Sequence, residues 1–140
     1  MEIVFIENID TRVSNWSKIE LWVKFCIDNE EKKVGNLSFV FMSNEELLSY
    51  NQQYLNHDYF TDVITFDDCE FPVVNGDILI SLDMVKFNHK QLKISYKEEF
   101  LRVLIHGVLH LCGYKDKLEL DILEMRGKEE FYLQKVNFEL

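Results

Sequence analysis

Residues 106–116 read HGVLHLCGYKD, and their types and spacing are those of a metal site. His106 and His110 stand four residues apart, so on a helix their rings share one face. Neutral imidazole is the commonest side-chain ligand for transition metals, and this spacing lets two rings reach one ion. Gly113 can turn the chain back after the helix, which brings Asp116 toward the same point. The pattern H-x-x-x-H-x-x-G-x-x-D has the spacing of the metzincin helix and turn, with aspartate as the third ligand. Three protein ligands leave a coordination position open, as in catalytic zinc sites. The oxygen ligand also widens the tolerance toward manganese or iron.

Asp116 carries a second reading. Asp116-Lys117-Leu118-Glu119 has the form of a capping sequence, and aspartate is a favoured N-cap, so ligand and cap remain alternatives for this carboxylate. Gly107 occupies the place where H-E-x-x-H peptidases carry their general base. A peptidase built on this motif would need its base from elsewhere. Cys112 follows His110 by two residues and should point away from the ligand face, as a packed free thiol.

The elements that must position this motif can be read from periodicity and capping. EIVFIEN (2–8), LSFVFMS (37–43), TDVITF (61–66) and GDILISL (76–82) read as strands, with EFPVVNG as a loop before the fourth. Ser17 to Ile27 has helical spacing. Ser43–Glu46 and Ser95–Glu98 are capping boxes, one opening a helix to about Tyr54 and the other the long apolar helix that carries the histidines. Further helices are expected from Asp83 to Gln91 and from about Leu118 to Gln134. The order predicts one mixed α/β (α+β) domain over residues 1–140, with a small mixed sheet of about four strands packed against helices.

Composition narrows the function. With 47% hydrophobic and 29% charged residues the chain reads as a soluble globular domain. It has no apolar run of spanning length, and its acidic start lacks the features of a signal peptide. Cys26, Cys69 and Cys112 form an odd, widely spaced set that suits a reducing cytoplasm better than a disulfide framework. The net charge of -10 argues against nonspecific nucleic-acid binding, so no DNA partner is expected. Basic residues do gather locally, at Lys86, His89, Lys90, Lys93 and Lys97, and again at Lys115, Lys117, Arg126 and Lys128. Solvated helix faces account for such clusters, and a specific anionic substrate is compatible with them.

Beyond the metal motif, the sequence resembles the YbeY endoribonucleases, also called rRNA maturation factors. Their signature H-G-x-L-H-L-x-G-Y-D-H stands here as His106-Gly107-Val108-Leu109-His110-Leu111-Cys112-Gly113-Tyr114-Lys115-Asp116. YNQQYLNHDYFTDVITF (50–66) is similar to the family's LN..YR..D.PTDVLSF segment at Asn51, Tyr54, Asp58, Thr61, Asp62, Val63 and Phe66, and GDILIS (76–81) is similar to its GDI.IS strand. The matched segments run from about residue 37 to about 130. The resemblance implies a compact α/β domain with one zinc ion in a cleft. It also implies metal-dependent cleavage of an rRNA precursor in 16S rRNA 3′-end maturation and ribosome quality control, with small-subunit components as partners. Two departures stand out. Asp116 replaces the usual third histidine, and Leu55 replaces an arginine thought to assist the substrate phosphate, a loss for which His57, Lys115 or Lys117 are candidates to compensate.

The expected activity is therefore that of a zinc-dependent endoribonuclease for single-stranded RNA, with His106, His110 and Asp116 as ligands. Water activated by the metal, or the substrate's own 2′-hydroxyl, would attack the phosphate. No acid or base is marked; Asp62 and Asp77 near strand ends, and Lys115 beside the ligand, are the candidates. Tyr54, Tyr59, Phe60 and Phe66 flank the third strand; core packing is expected for most, and base stacking for some. The rival readings are a metallopeptidase, opposed by Gly107, and a noncatalytic ribosome-assembly factor with a structural metal.

Overall fold

From Leu37 onward alternate side chains of the second strand are large and apolar, and Leu37, Phe39 and Phe41 are buried on one face. The computed structural model describes residues 1–140, and its elements follow in the order β1 (Ile3–Glu7), α1 (Trp16–Asn29), β2 (Lys33–Met42), α2 (Asn44–Leu55), β3 (Val63–Asp67), β4 (Val73–Ser81), α3 (Leu82–Leu92), α4 (Tyr96–Leu111) and α5 (Glu119–Leu133). The four strands form one sheet in the order β1-β2-β4-β3. β1 with β2, and β2 with β4, run parallel, while β3 runs antiparallel to β4. Parallel neighbours need crossover connections, and α1 and α2 lie in them. The expected mixed α/β architecture is what the chain adopts.

The two sheet faces bury different sets. On one face Leu37, Phe39, Phe41, Ile78 and Ile80 meet Ile19 and Val23 of α1 and the apolar side of α4, in a continuous core that Met125 and Tyr132 of α5 extend. On the other, Met42, Ile64 and Leu79 pack with Leu47 of α2 as a smaller cluster. Interleaved rings (Phe5 on Trp16, Phe41 on Phe100) tie β1, α1, β2 and α4 together.

Helix starts follow the capping residues. Ser43 and Ser95 accept hydrogen bonds from the backbone N–H of Glu46 and Glu98, at 3.2 and 3.0 Å. The Glu46 carboxylate does not cap in return; it accepts from Asn8 Nδ2 at 2.9 Å. Ser81 caps α3 through Met84 N–H, so that helix begins one residue earlier than the sequence suggests. Two strands are longer than expected. β2 starts at Lys33 and β4 at Val73, because Lys33 and Val34 pair with Val73 and Val74 before the register shifts between Val34 and Leu37. At that irregularity Asn75 Oδ1 accepts from Asn36 N–H at 2.8 Å. A break in register hides the pairing from a reading of simple alternation.

Candidate metal centre

α4 is the element that carries the site, and Gly107 sets its distance from the sheet. A Cβ at residue 107 would meet Ile78 Cγ2 of β4 at 2.7 Å. The glycine that removes the peptidase base thus lets the helix lie directly on the strand. α4 ends in a Schellman motif: Gly113 N–H donates to His110 O at 3.0 Å and Tyr114 N–H to Leu109 O at 3.1 Å. Gly113 has φ +113°, a backbone conformation that residues other than glycine rarely adopt.

The turn brings Asp116 back over the helix. Asp116 Oδ2 lies 3.3 Å from His106 Nε2 and 3.2 Å from His110 Nε2. One ligand atom from each of the three residues falls within 4.8 Å of the others, so the group could hold a metal ion. The N-cap position of α5 is occupied by Leu118, with no side-chain cap bond, so the Asp116 carboxylate is not spent on that helix. The turn is anchored from behind. Tyr114 Oη donates to Glu30 Oε1 at 2.6 Å, Lys128 Nζ approaches Glu30 Oε2 at 3.2 Å, and Tyr132 Oη donates to the same carboxylate. Burial pushes the Glu30 carboxyl up, but these hydrogen bonds outweigh it and hold the group below its ordinary value.

Beneath the histidines lies a charged network that the sequence reading missed. His106 Nδ1 is 2.6 Å from Glu129 Oε2, which fixes the ring and leaves Nε2 facing Asp116. Arg102 donates to both oxygens of the buried Glu99 at 2.7 and 2.8 Å, to Glu129 at 3.3 Å, and lies 3.6 Å from Asp62. The Glu99 hydrogen bonds, working against burial, raise the guanidinium above its ordinary value. Three carboxyl groups thus share this one guanidinium. The signal for the network was present: Glu99, Arg102 and His106 recur at helical spacing on an otherwise apolar helix. Glu129 likewise interrupts the buried stripe of Met125 and Tyr132 on α5.

The triad opens onto a cleft of about 260 Å³ whose walls include Leu55, His57, Tyr59, Thr61 and Asp62. Asp62 precedes β3, and its backbone carbonyl accepts from Ser81 N–H at 2.9 Å. Burial raises its carboxyl above the ordinary value despite the opposing pull of Arg102 and His106. Of the other two candidates, Asp77 lies on β4 away from this cleft, where it accepts from Ser38 Oγ, and Lys115 is exposed on the turn and absent from the lining. Lys117 is also outside the lining, whereas His57 is within it. Among the aromatic residues around β3, Tyr54, Tyr59 and Phe60 are exposed, contrary to the expectation that most would be core. Cys112 is a buried free thiol, raised to about 12 chiefly by burial, as its offset from His110 suggested.

The relationships agree with this geometry. A family model described as Endoribonuclease YbeY matches residues 5–137. A protein of that name from Porphyromonas gingivalis is 50% identical over 109 residues, covering 78% of this chain and 72% of its own. Its namesake from Flavobacterium psychrophilum is 44% identical over 128 residues, 91% of each chain. The solution structure of a Thermotoga maritima protein shares the fold, with a TM-score of 0.65 at 24% identity over 94% of this chain and 87% of its own. The motif, the fold around it and these matches place the chain in the YbeY family of endoribonucleases.

Proposed function

We propose that His106, His110 and Asp116 hold one zinc ion and that the chain, acting as one domain, cuts single-stranded RNA. Its substrate would be an rRNA precursor in the cytoplasm. The biological setting would be 16S rRNA 3′-end maturation and ribosome quality control, with small-subunit components as partners. The observation that carries the reading is the position of Asp116 Oδ2 between the two Nε2 atoms, with the far side of the His106 ring held by Glu129. The donor set of two imidazoles and a carboxylate suits zinc, which supplies Lewis acidity and lowers the pKa of a bound water.

The chain's own residues divide the remaining work. Glu129 keeps His106 in one tautomer and one orientation. Arg102 holds Glu99 and Glu129 in place and lies close to the Asp62 carboxylate at the cleft wall. Asp62 is the acid best placed to take a proton from the attacking hydroxyl, since it alone of the three sequence candidates lines the cleft. Two features weigh against the rival readings. A three-ligand site open to a cleft differs from the closed four-ligand geometry of structural zinc, and Gly107, packed on Ile78, leaves no peptidase base.

The test is RNA cleavage by zinc-loaded protein beside an identically purified His106→Ala variant, with zinc content measured on both. Activity lost together with the metal supports the nuclease reading, and equal activity in both refutes it. The product ends separate the routes: a 2′,3′-cyclic phosphate marks attack by the substrate's 2′-hydroxyl, and a direct 5′-phosphate marks attack by water.

A further inference from the structure

The cleft beside the three ligand residues has no lysine or arginine in its lining, while Asp62 and Asp116 are both part of it. Phosphate contacts supply much of the affinity of most nucleic-acid-binding proteins. Here the chain carries a net charge of -10, and an apolar Leu55 stands in the cleft wall. Arginines stand only on the other side of His106 and Asp116, where Arg102 and Arg126 line the adjoining pocket, so on this wall the metal site is the main attraction for a phosphate.

What the cleft offers instead is a pair of rings. Tyr59 lines it and is 57% exposed. His57 stacks on Tyr59 with centroids 5.1 Å apart and planes inclined by 21°, and Tyr59 Oη lies 2.9 Å from His57 Nδ1. The segment bearing them is ordered by Asn51, a buried residue of α2. Asn51 Nδ2 donates to Tyr59 O at 2.9 Å, and the Asn51 carbonyl accepts from His57 N–H at 3.1 Å. Between them Asn56 takes the left-handed conformation, with φ 55°, that ends α2 and turns the chain toward the cleft. A supported ring with much of its surface open is the arrangement that accepts an unpaired base.

We infer that Tyr59, backed by His57, is the platform on which the unpaired base beside the scissile phosphate stacks, so that RNA is recognised at this cleft through its bases more than its phosphates. This rests on the endoribonuclease reading above. It accounts for a polyanion being bound along a wall that carries no lysine or arginine, and it restricts the substrate to single strands, because a paired base cannot leave its stack to reach the ring. It also implies a shallow dependence of affinity on salt, since few counterions are released.

The experiment measures equilibrium binding, by fluorescence anisotropy, of a short 2′-O-methyl oligoadenylate and of an abasic oligomer of equal length. Both are titrated with zinc-loaded parent, Tyr59→Leu and Tyr59→Phe proteins across a range of salt. The expected result is preference for the oligoadenylate, a loss of about tenfold to a hundredfold in Tyr59→Leu, retention in Tyr59→Phe, and a shallow salt slope. Tyr59 is exposed, and circular dichroism of each variant checks that the fold is kept. Equal affinity for the abasic oligomer, an unchanged Tyr59→Leu variant, a steep salt slope or no binding of either oligomer would overturn the inference. Cleavage of unmodified single-stranded RNA is measured with the same protein preparations. Base-dependent binding without cleavage would fault the nuclease reading and leave the platform standing, whereas cleavage without base-dependent binding would do the reverse.

Discussion

Replacing Gly107 with alanine adds one carbon at the closest approach between α4 and the sheet. That carbon would lie 2.7 Å from Ile78 Cγ2, where ordinary contact begins at 3.4 Å, so helix or strand must give by more than half an ångström. Ile78 is fully buried, and Cγ2 is a branch at Cβ with little freedom to swing away. Overpacking of this kind costs about 1–3 kcal/mol. Alanine's better helix propensity returns up to about 1 kcal/mol, which blurs the sign of the single variant. Gly127→Ala removes the ambiguity. Gly127 lies in the interior of α5 with nothing within 4 Å of an added Cβ, so that variant receives the propensity gain alone. The common gain cancels in the difference, and Gly107→Ala should be less stable than Gly127→Ala by about 1–3 kcal/mol in urea unfolding. The displaced helix also carries His106 and His110, so Gly107→Ala should bind zinc more weakly while Gly127→Ala should not. Two variants stabilised equally would refute the claim that glycine sets the helix-to-sheet distance.

Further outcomes follow from the network under the site. Glu129→Gln should weaken zinc affinity by about tenfold to a hundredfold, measured by competition with a chelating dye, because His106 loses its carboxylate partner. Asp62→Asn should lower kcat for RNA cleavage by about 10²–10⁴-fold while zinc binding is kept, and an unchanged kcat would remove Asp62 from proton transfer. Glu30 gives a pH signature. Its folded value is depressed, so the stability it contributes is present above its ordinary value of 4.5 and is lost as pH falls through the folded value. Denaturant midpoints of the parent and Glu30→Gln should therefore converge as the solution is acidified from neutrality, and a constant gap between them would contradict this role.

How much of this was legible in the sequence depends on whether the signal is local. Helix α4, its Ser95 cap and its Gly113 stop are written in adjacent residues, and all three form as read. The spacing of His106, His110 and Asp116 was also local, although the choice between ligand and cap for Asp116 was not. The cap alternative turned on where α5 begins, and Leu118, not Asp116, takes the N-cap position. What stayed hidden needed partners distant in the chain. Glu129 meets His106 across 23 residues and Glu30 meets Tyr114 across 84. Neither residue belongs to a motif; each shows in sequence only as an acid at or beside apolar positions of a helix. The early starts of β2 and β4 were hidden for the same reason, since Lys33 and Val34 are strand residues only because Val73 and Val74 lie opposite.

The central claim is that one divalent ion is held by His106, His110 and Asp116 and that RNA cleavage depends on it. The most direct test titrates metal-stripped protein with zinc by calorimetry, using the parent and the single variants His106→Ala, His110→Ala and Asp116→Ala, and assays RNA cleavage at each point. The account predicts one ion per chain in the parent, cleavage rising with its occupancy, and loss of both in each variant. Tight stoichiometric zinc binding retained in the variants, or cleavage by the parent at full rate without bound metal, would contradict it.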